Sequence, residues 1–282
     1  MTSKIPLSVI IVTRNEVANL PRCLAALHDF DEVIVVDSQS TDGTASMTQV
    51  QYQWNGAYPK KRQWCLDHVK TRHNRIFFVD ADEEITPELT DEIRALDWRC
   101  GGYFVRGRYV FEGRALRFGL KNNKLALFDR TRFAFPVVDD LDAPGMGEIE
   151  GHYQPLPKDK MDRVGQLHAE LLHYSGDDGA RWQDRHERYA AWEAWMLTRN
   201  AYPPEIGFVR SASKYLFRHL PARPFMAFVH SYILRGGFLD GARGFRFARS
   251  RWQYYRMVNA ALSGASKVPV PQRAAPTDRI AA

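Results

Sequence analysis

The sequence predicts an α/β fold, an open sheet followed by a helical C-terminal extension, on three observations. Short β-branched runs at residues 7–12 and 32–36 flank a stretch whose apolar residues recur with helical period. A third apolar run, residues 76–79, ends in Asp80-Ala81-Asp82-Glu83. Residues 210–256 carry ten lysines and arginines against the single acid Asp240, with Phe, Tyr and Trp interleaved. At 282 residues and 45% hydrophobic content, the chain can bury one large core with an appendage, or two modest domains.

The elements follow in order. Residues 7–12 are bounded by polar residues and read as a buried strand. Asn19 is placed to cap the helix over 20–27, where Pro21 is tolerated in the first turn. The strand at 32–36 then lies parallel to the first through a right-handed crossover. Ser38 to Thr44 is a polar turn with short side chains, suited to backbone approach and helix capping. Lys60, Lys61 and Arg62 open a helix that continues through Leu66 and Val69, and its N-terminus and cations are both expected to attract phosphate. After the strand at 76–79, Thr86 as N-cap, Pro87 at the first helical position and Glu88 beside it predict another helix.

Alternation of Tyr103, Val105, Tyr109 and Phe111 with polar residues predicts a half-exposed strand, and residues 124–128 another. Residues 136–160 are rich in Pro, Gly and acids, with 148–153 as their one strand-like element. Residues 182–198 read as a helix with Trp182, Tyr189, Trp192 and Trp195 mostly in the core. The chain from Ser263 is expected to be disordered.

In an open α/β sheet, ligands bind beyond the carboxyl ends of the strands. Those ends read Thr13-Arg14-Asn15-Glu16, Asp37-Ser38-Gln39-Ser40 and Asp80-Ala81-Asp82, which brings carboxylates and small polar groups to one edge. Where a strand breaks into a turn, Asp80 and Asp82 can converge on a divalent ion that neutralises a diphosphate. The plainer reading leaves Asp80 ending the strand and the following acids precharging the helix at Pro87.

Composition narrows the classes. Cys23, Cys65 and Cys100 lie far apart, have no metal-ligand spacing and are too few for a disulfide framework, which points to a reducing, cytoplasmic compartment. No leader pattern opens the chain and no apolar stretch reaches the length of a spanning helix, so neither export nor membrane crossing is expected. The net charge of +6 is concentrated toward the C-terminal end, where an anionic partner is expected. A basic, aromatic helical segment suits the anionic inner face of the plasma membrane, and no nucleic acid is expected because no binding motif accompanies it. A helical hairpin packed on the sheet with a solvated basic face is the alternative.

Residues 7–16, 35–44 and 77–83 resemble the opening blocks of family-two GT-A glycosyltransferases in content, order and strand-end placement. Within that family Trp54-Asn55-Gly56, Pro59-Lys60-Lys61-Arg62-Gln63-Trp64 and residues 236–241 resemble bacterial enzymes that build lipopolysaccharide core or exopolysaccharide. The resemblance implies a Rossmann-like mixed sheet and an inverting, hexosyltransferase-type enzyme using a nucleotide-diphospho-sugar donor and a divalent metal, Mg2+ or Mn2+. The acceptor it implies is a lipid-linked glycan or lipopolysaccharide core. Thr13, Asn15, Glu16, Asp37, Ser38, Arg62 and Asp80 are thereby expected around the donor, with Asp82 and His173 on the metal. Direct displacement needs a general base, which the family carries after the donor domain; Glu150 is favoured, with Glu148 close behind.

The domain reading is a GT-A domain over 1–200, a basic helical membrane-associating segment over 201–262 and a tail over 263–282. Between Gly43 and Gln53 the chain is shorter than the family's usual helix and strand, which puts the second helix and the base pocket in question. Two rivals are weighed against this reading. An aspartyl phosphatase also follows a strand with Asp-x-Asp, but here position 84 is Glu and the motif is not on the first strand. A non-catalytic sugar-nucleotide module at the membrane would keep the fold without turnover. A dinucleotide dehydrogenase is excluded, because the turn after the first strand contains no glycine.

Overall fold

The computed structural model describes residues 3–151, 153–174, 179–203, 205–220 and 222–265. The strands are β1 (Ile5–Thr13), β2 (Phe30–Asp37), β3 (Val50–Gln51), β4 (Arg75–Asp80), β5 (Glu83–Glu84), β6 (Gly102–Phe111), β7 (Arg114–Ala115), β8 (Asn122–Asp129), β9 (Phe133–Ala134), β10 (Leu156–Pro157) and β11 (Val164–Tyr174). The α-helices are α1 (Leu20–Ala25), α2 (Lys61–His68), α3 (Pro87–Arg94), α4 (Gly179–Arg199), α5 (Phe208–His219), α6 (Arg223–Val229) and α7 (Gly241–Ala265).

Nine strands form one mixed sheet in the order β3-β2-β1-β4-β8-β6-β11-β5, with β7 beside β6. Parallel pairing of β1 with β2 and β4 reflects the helical crossovers read from the sequence. From β4 onward the pairing with β8 is antiparallel. Both faces of the central strands are covered, so Val9, Ile10 and Ile11 are all fully buried, as a continuous apolar run requires. Leu7, Val9, Phe77, Leu89 and Leu171 belong to the core on one face; Ile10, Ile76, Phe78, Phe128 and Trp192 belong to the core on the other.

The predicted start of α3 is observed, with the Leu89 N–H donating to Thr86 Oγ1 at 3.2 Å. Asn19 does not cap α1 with its side chain, because Nδ2 donates to Glu16 and Oδ1 accepts from Arg22 instead. The shortening between Gly43 and Gln53 reduces the second crossover to a 3-10 turn, Gly43–Met47, and the two-residue β3. Residues 148–151 form no strand. The chain there turns so that Glu150 accepts a hydrogen bond from the Gln63 N–H at 3.0 Å, and a distant carboxylate thus caps the start of α2.

The C-terminal region is helical, as predicted, and α7 packs on α4, burying Tyr254 and Val258 against Ala190. Between them Glu193 accepts from Arg223 and, at 2.6 Å, from Tyr254. This buried ionic cluster ties α4 to α6 and α7. Among the described residues no helix is long and apolar enough to cross a membrane. Within the tail expected to be disordered, residues 266–282 lie outside the described residues, whereas α7 continues through Ser263 and Gly264.

Candidate functional site

The carboxyl ends of β1, β2 and β4 gather the residues singled out from the sequence, and each is fixed by a local device. Thr13, ending β1, is buried, and its carbonyl accepts from Lys61 Nζ at 3.1 Å and from the Ser38 N–H at 3.1 Å. Asn15 adopts φ 56°, a left-handed conformation that its short polar side chain tolerates. Its Oδ1 accepts from the Thr41 N–H at 2.8 Å, which draws the loop after β2 against the loop after β1. The Glu16 N–H donates to Thr44 Oγ1 at 2.8 Å, and burial raises the Glu16 pKa.

Asp37 is fully buried at the end of β2. Its carboxylate accepts from the Ser40 N–H at 3.0 Å, from Ser40 Oγ, and from Gln51 Nε2 at 3.1 Å. The adjacent Ser38 hydroxyl is buried without a hydrogen-bond partner among the described residues. A rigid carboxylate beside an unsatisfied hydroxyl forms a polar floor.

Asp80 and Asp82 have different surroundings. Asp80 pairs with Arg62 at 2.7 Å and with Lys124 at 2.8 Å, so two cations outweigh the effect of burial and hold its carboxyl well below the usual range. Lys124 also pairs with Glu83 at 2.5 Å, and burial, which would lower its pKa, is overcome by these two carboxylates. Among the described residues Asp82 forms no ion pair with a lysine or arginine, and its nearest cationic partner is His173 at 3.7 Å. Burial raises the Asp82 pKa, and His173 opposes that rise.

Strand β11 delivers His173. It pairs in register with Glu83 of β5 and with Tyr109 of β6, whose ring meets the imidazole edge-on at 5.2 Å. His173 Nδ1 lies 3.7 Å from both Asp82 Oδ1 and Glu83 Oε1, and neither Nδ1 nor Glu83 Oε1 has a hydrogen-bond partner among the described residues. Burial would lower the imidazole pKa, but Asp82 and then Glu83 hold it up at about 9.

Glu148 and Glu150 come from the 140s loop rather than a strand. Glu148 pairs with Lys61 at 3.4 Å. Glu150 is buried, with Oε2 lacking a hydrogen-bond partner among the described residues, and burial raises its pKa against the pull of Arg62 and the Gln63 N–H. Arg62 lies within electrostatic reach of both Asp80 and Glu150.

The cationic opening of α2 is therefore not the free phosphate surface expected from sequence. Lys60 is fully buried on Asp140 at 2.8 Å, Lys61 is held by Glu148 and the Thr13 carbonyl, and Arg62 is held by Asp80. Sequence reasoning missed Lys124, Glu83 and Tyr109. The antiparallel pairing of β4 with β8, Ile76↔Phe128 and Phe77↔Leu127, runs the first half of β8 past the carboxyl end of β4, where Lys124 reaches Asp80.

Among the described residues no cluster of three or more His, Cys, Asp or Glu side chains forms a metal cage. The site offers Asp82 and His173, with the orphaned Nδ1 and Glu83 oxygen between them. Asp82 and His173 could together hold a divalent ion that takes its remaining ligands from substrate phosphates and water, provided the ion displaces the imidazole proton, since a ligating histidine must be neutral.

The sequence pattern described as Glycosyl transferase family 2 matches residues 8–153. The lipopolysaccharide core biosynthesis glycosyltransferase LpsC of Rhizobium meliloti (strain 1021) is 35% identical over 144 residues, 42% of this chain and 52% of that protein. The match thus spans about half the length of that relative. An uncharacterized glycosyltransferase of Rickettsia typhi (strain ATCC VR-144 / Wilmington) is 33% identical over 265 residues, 86% of this chain and 84% of that protein. Among solved structures, a mannosyltransferase from Pyrobaculum calidifontis in complex with GDP-Man and Mn2+ has TM-score 0.50 at 15% identity, covering 94% of this chain and 89% of that one. That likeness concerns the fold.

Proposed function

This chain belongs to glycosyl transferase family 2, and from that premise we propose that it moves a sugar, with inversion, from a nucleotide-diphospho-sugar to a lipid-linked or lipopolysaccharide-core acceptor. The observation that carries the donor half is the contrast inside the acidic motif. Asp80 is neutralised by Arg62 and Lys124, whereas Asp82 faces the His173 imidazole, whose Nδ1 makes no hydrogen bond among the described residues.

In this reading Asp37 and the Ser38 hydroxyl receive the nucleoside, with Thr13, Asn15 and Glu16 shaping the adjoining wall. Asp82 and His173 would hold Mg2+ or Mn2+, which supplies neutralisation of the diphosphate leaving group. Arg62 and Lys124 keep Asp80 ionised and add positive charge beside the same position. Glu150 takes the proton from the acceptor hydroxyl; its raised pKa moves it toward the operating pH, where a base is most effective. Glu148, already paired with Lys61, is the weaker base. The relative's role in lipopolysaccharide core biosynthesis and the basic C-terminal helices support an acceptor at the cytoplasmic membrane surface, with the protein bound peripherally.

A panel of sugar nucleotides with and without manganese tests the donor half by thermal stabilisation. One sugar nucleotide is expected to raise the melting temperature, and manganese to enlarge the rise. Asp82→Asn is expected to keep the ligand-free melting temperature and abolish the manganese-dependent part, because an amide cannot balance the ion's charge. An undiminished manganese effect in that variant removes Asp82 from the metal assignment.

A further inference from the structure

The β6–β7 hairpin with the segment that follows it and the turn before α7 build one surface together, through contacts between residues 122 and 123 positions apart. Asp240 accepts the N–H groups of Arg117 at 3.0 Å and Phe118 at 2.8 Å, and the Gly119 N–H donates to the Arg235 carbonyl at 2.9 Å. On the C-terminal side of this surface the chain folds tightly on itself: a Cβ at Gly237 would come within 2.6 Å of the Ser231 carbonyl oxygen. The join exposes a tip of large apolar side chains: Phe118 41%, Ile233 54%, Leu234 68%, Phe238 49% and Leu239 56% exposed. Phe238 packs edge to face on Tyr232, which meets Phe245 in the same way, as Phe245 does Phe228, so the tip rests on a stiff support.

Cations rim this tip. A surface cavity of about 350 Å3 is lined by Arg114, Arg117 and Arg243 together with Leu239 and Asp240. Arg114 and Arg117 are exposed and form no ion pair among the described residues. Both nearby acids are already committed: Asp240 to two backbone N–H groups, Glu112 to Arg246 at 2.6 Å and Arg243 at 3.8 Å. Four cations, Arg114, Arg117, Arg243 and Arg246, thus stand against two acids, Asp240 and Glu112, so an excess of positive charge borders the exposed apolar groups. A water-exposed site for an acidic protein would not need five uncovered apolar side chains, whereas the headgroup boundary of an anionic bilayer takes both.

We propose that this composite tip is the membrane-docking surface, with Ile233, Leu234, Phe238 and Leu239 entering the interfacial layer of an anionic bilayer and the Arg114, Arg117 and Arg243 cavity receiving a lipid phosphate. The proposal rests on the membrane-bound reading above and adds the donor domain's own hairpin to the contact, which couples docking directly to the end of β6 where β7 pairs with it.

Sedimentation with vesicles tests it. The full chain is expected to bind vesicles of phosphatidylglycerol and phosphatidylcholine at low salt, and phosphatidylcholine alone weakly. Arg114→Gln with Arg117→Gln is expected to weaken binding to the anionic vesicles roughly thirtyfold, at about one kcal/mol per basic residue. Leu234→Ser with Leu239→Ser is expected to weaken it comparably. Both pairs are surface positions outside the donor site, so the donor-induced rise in melting temperature should match wild type and certify the fold. Anionic-vesicle binding retained by both pairs overturns this surface while leaving a membrane-bound enzyme standing. Wild type that binds no vesicle, or that dimerises and thereby loses vesicle binding, overturns both.

Discussion

Glu150→Gln is expected to lower the rate of sugar transfer by about a hundred- to ten-thousandfold, the usual weight of a positioned base, while donor-induced stabilisation persists. Glutamine keeps the shape and retains an oxygen to accept the Gln63 N–H, so the start of α2 stays capped. What it removes is the proton acceptor. The pH profile gives the second readout. Burial raises the Glu150 pKa from 4.5, and only the ionised form can accept a proton, so activity falls as the pH drops through that raised value. The acid limb of kcat/KM is therefore expected above the range of an ordinary glutamate and absent from the residual activity of the variant. An unchanged rate in Glu150→Gln, with the loss appearing in Glu148→Gln, transfers the role to Glu148.

Lys60→Met is expected to destabilise the protein by about 3–5 kcal/mol, the cost of leaving a buried charge without its partner. Lys60 and Asp140 are both fully excluded from water at 2.8 Å. Asp140 would keep its hydrogen bonds from Tyr58 and Trp192 but lose its only countercharge among the described residues. A lower urea midpoint at unchanged slope measures the effect. The double variant Lys60→Met with Asp140→Leu is expected to recover a large part of the loss, because a hydrophobic replacement of both partners avoids the stranded charge. A midpoint for Lys60→Met within error of wild type would show that the pair is not worth what its burial implies.

Legibility from sequence followed the range of the interactions. Elements dictated by local pattern were readable: the apolar runs of β1, β2 and β4, the Thr86-Pro87 start of α3, and the aromatic periodicity of α4. The gathering of strand ends at one edge followed from the parallel order of β1, β2 and β4. The partners of Lys60, Lys61 and Arg62 were not readable, because Asp140, Glu148 and Asp80 lie between 18 and 87 positions away and charge type alone does not separate a phosphate ligand from a buried ion pair. For the same reason Glu148 and Glu150 read as a short strand: their alternation matched a period of two, while the backbone follows the demand of an uncapped helix elsewhere in the chain. Lys124 escaped notice as one polar residue in a strand pattern, and only the antiparallel pairing of β8 with β4 carries it to Asp80 and Glu83.

The Glu193 cluster has a practical corollary for anyone trimming the gene. A version stopped after residue 200 would keep Glu193 and discard Arg223 and Tyr254, the two groups that satisfy it. It would also strip the cover from the outer side of α4, where Ala190 meets Tyr254 and Val258. Such a fragment is expected to precipitate or to expose a sticky helix, so a lack of turnover in it would say nothing about the chemistry of the parent. Assays belong on protein that runs at least through Val258.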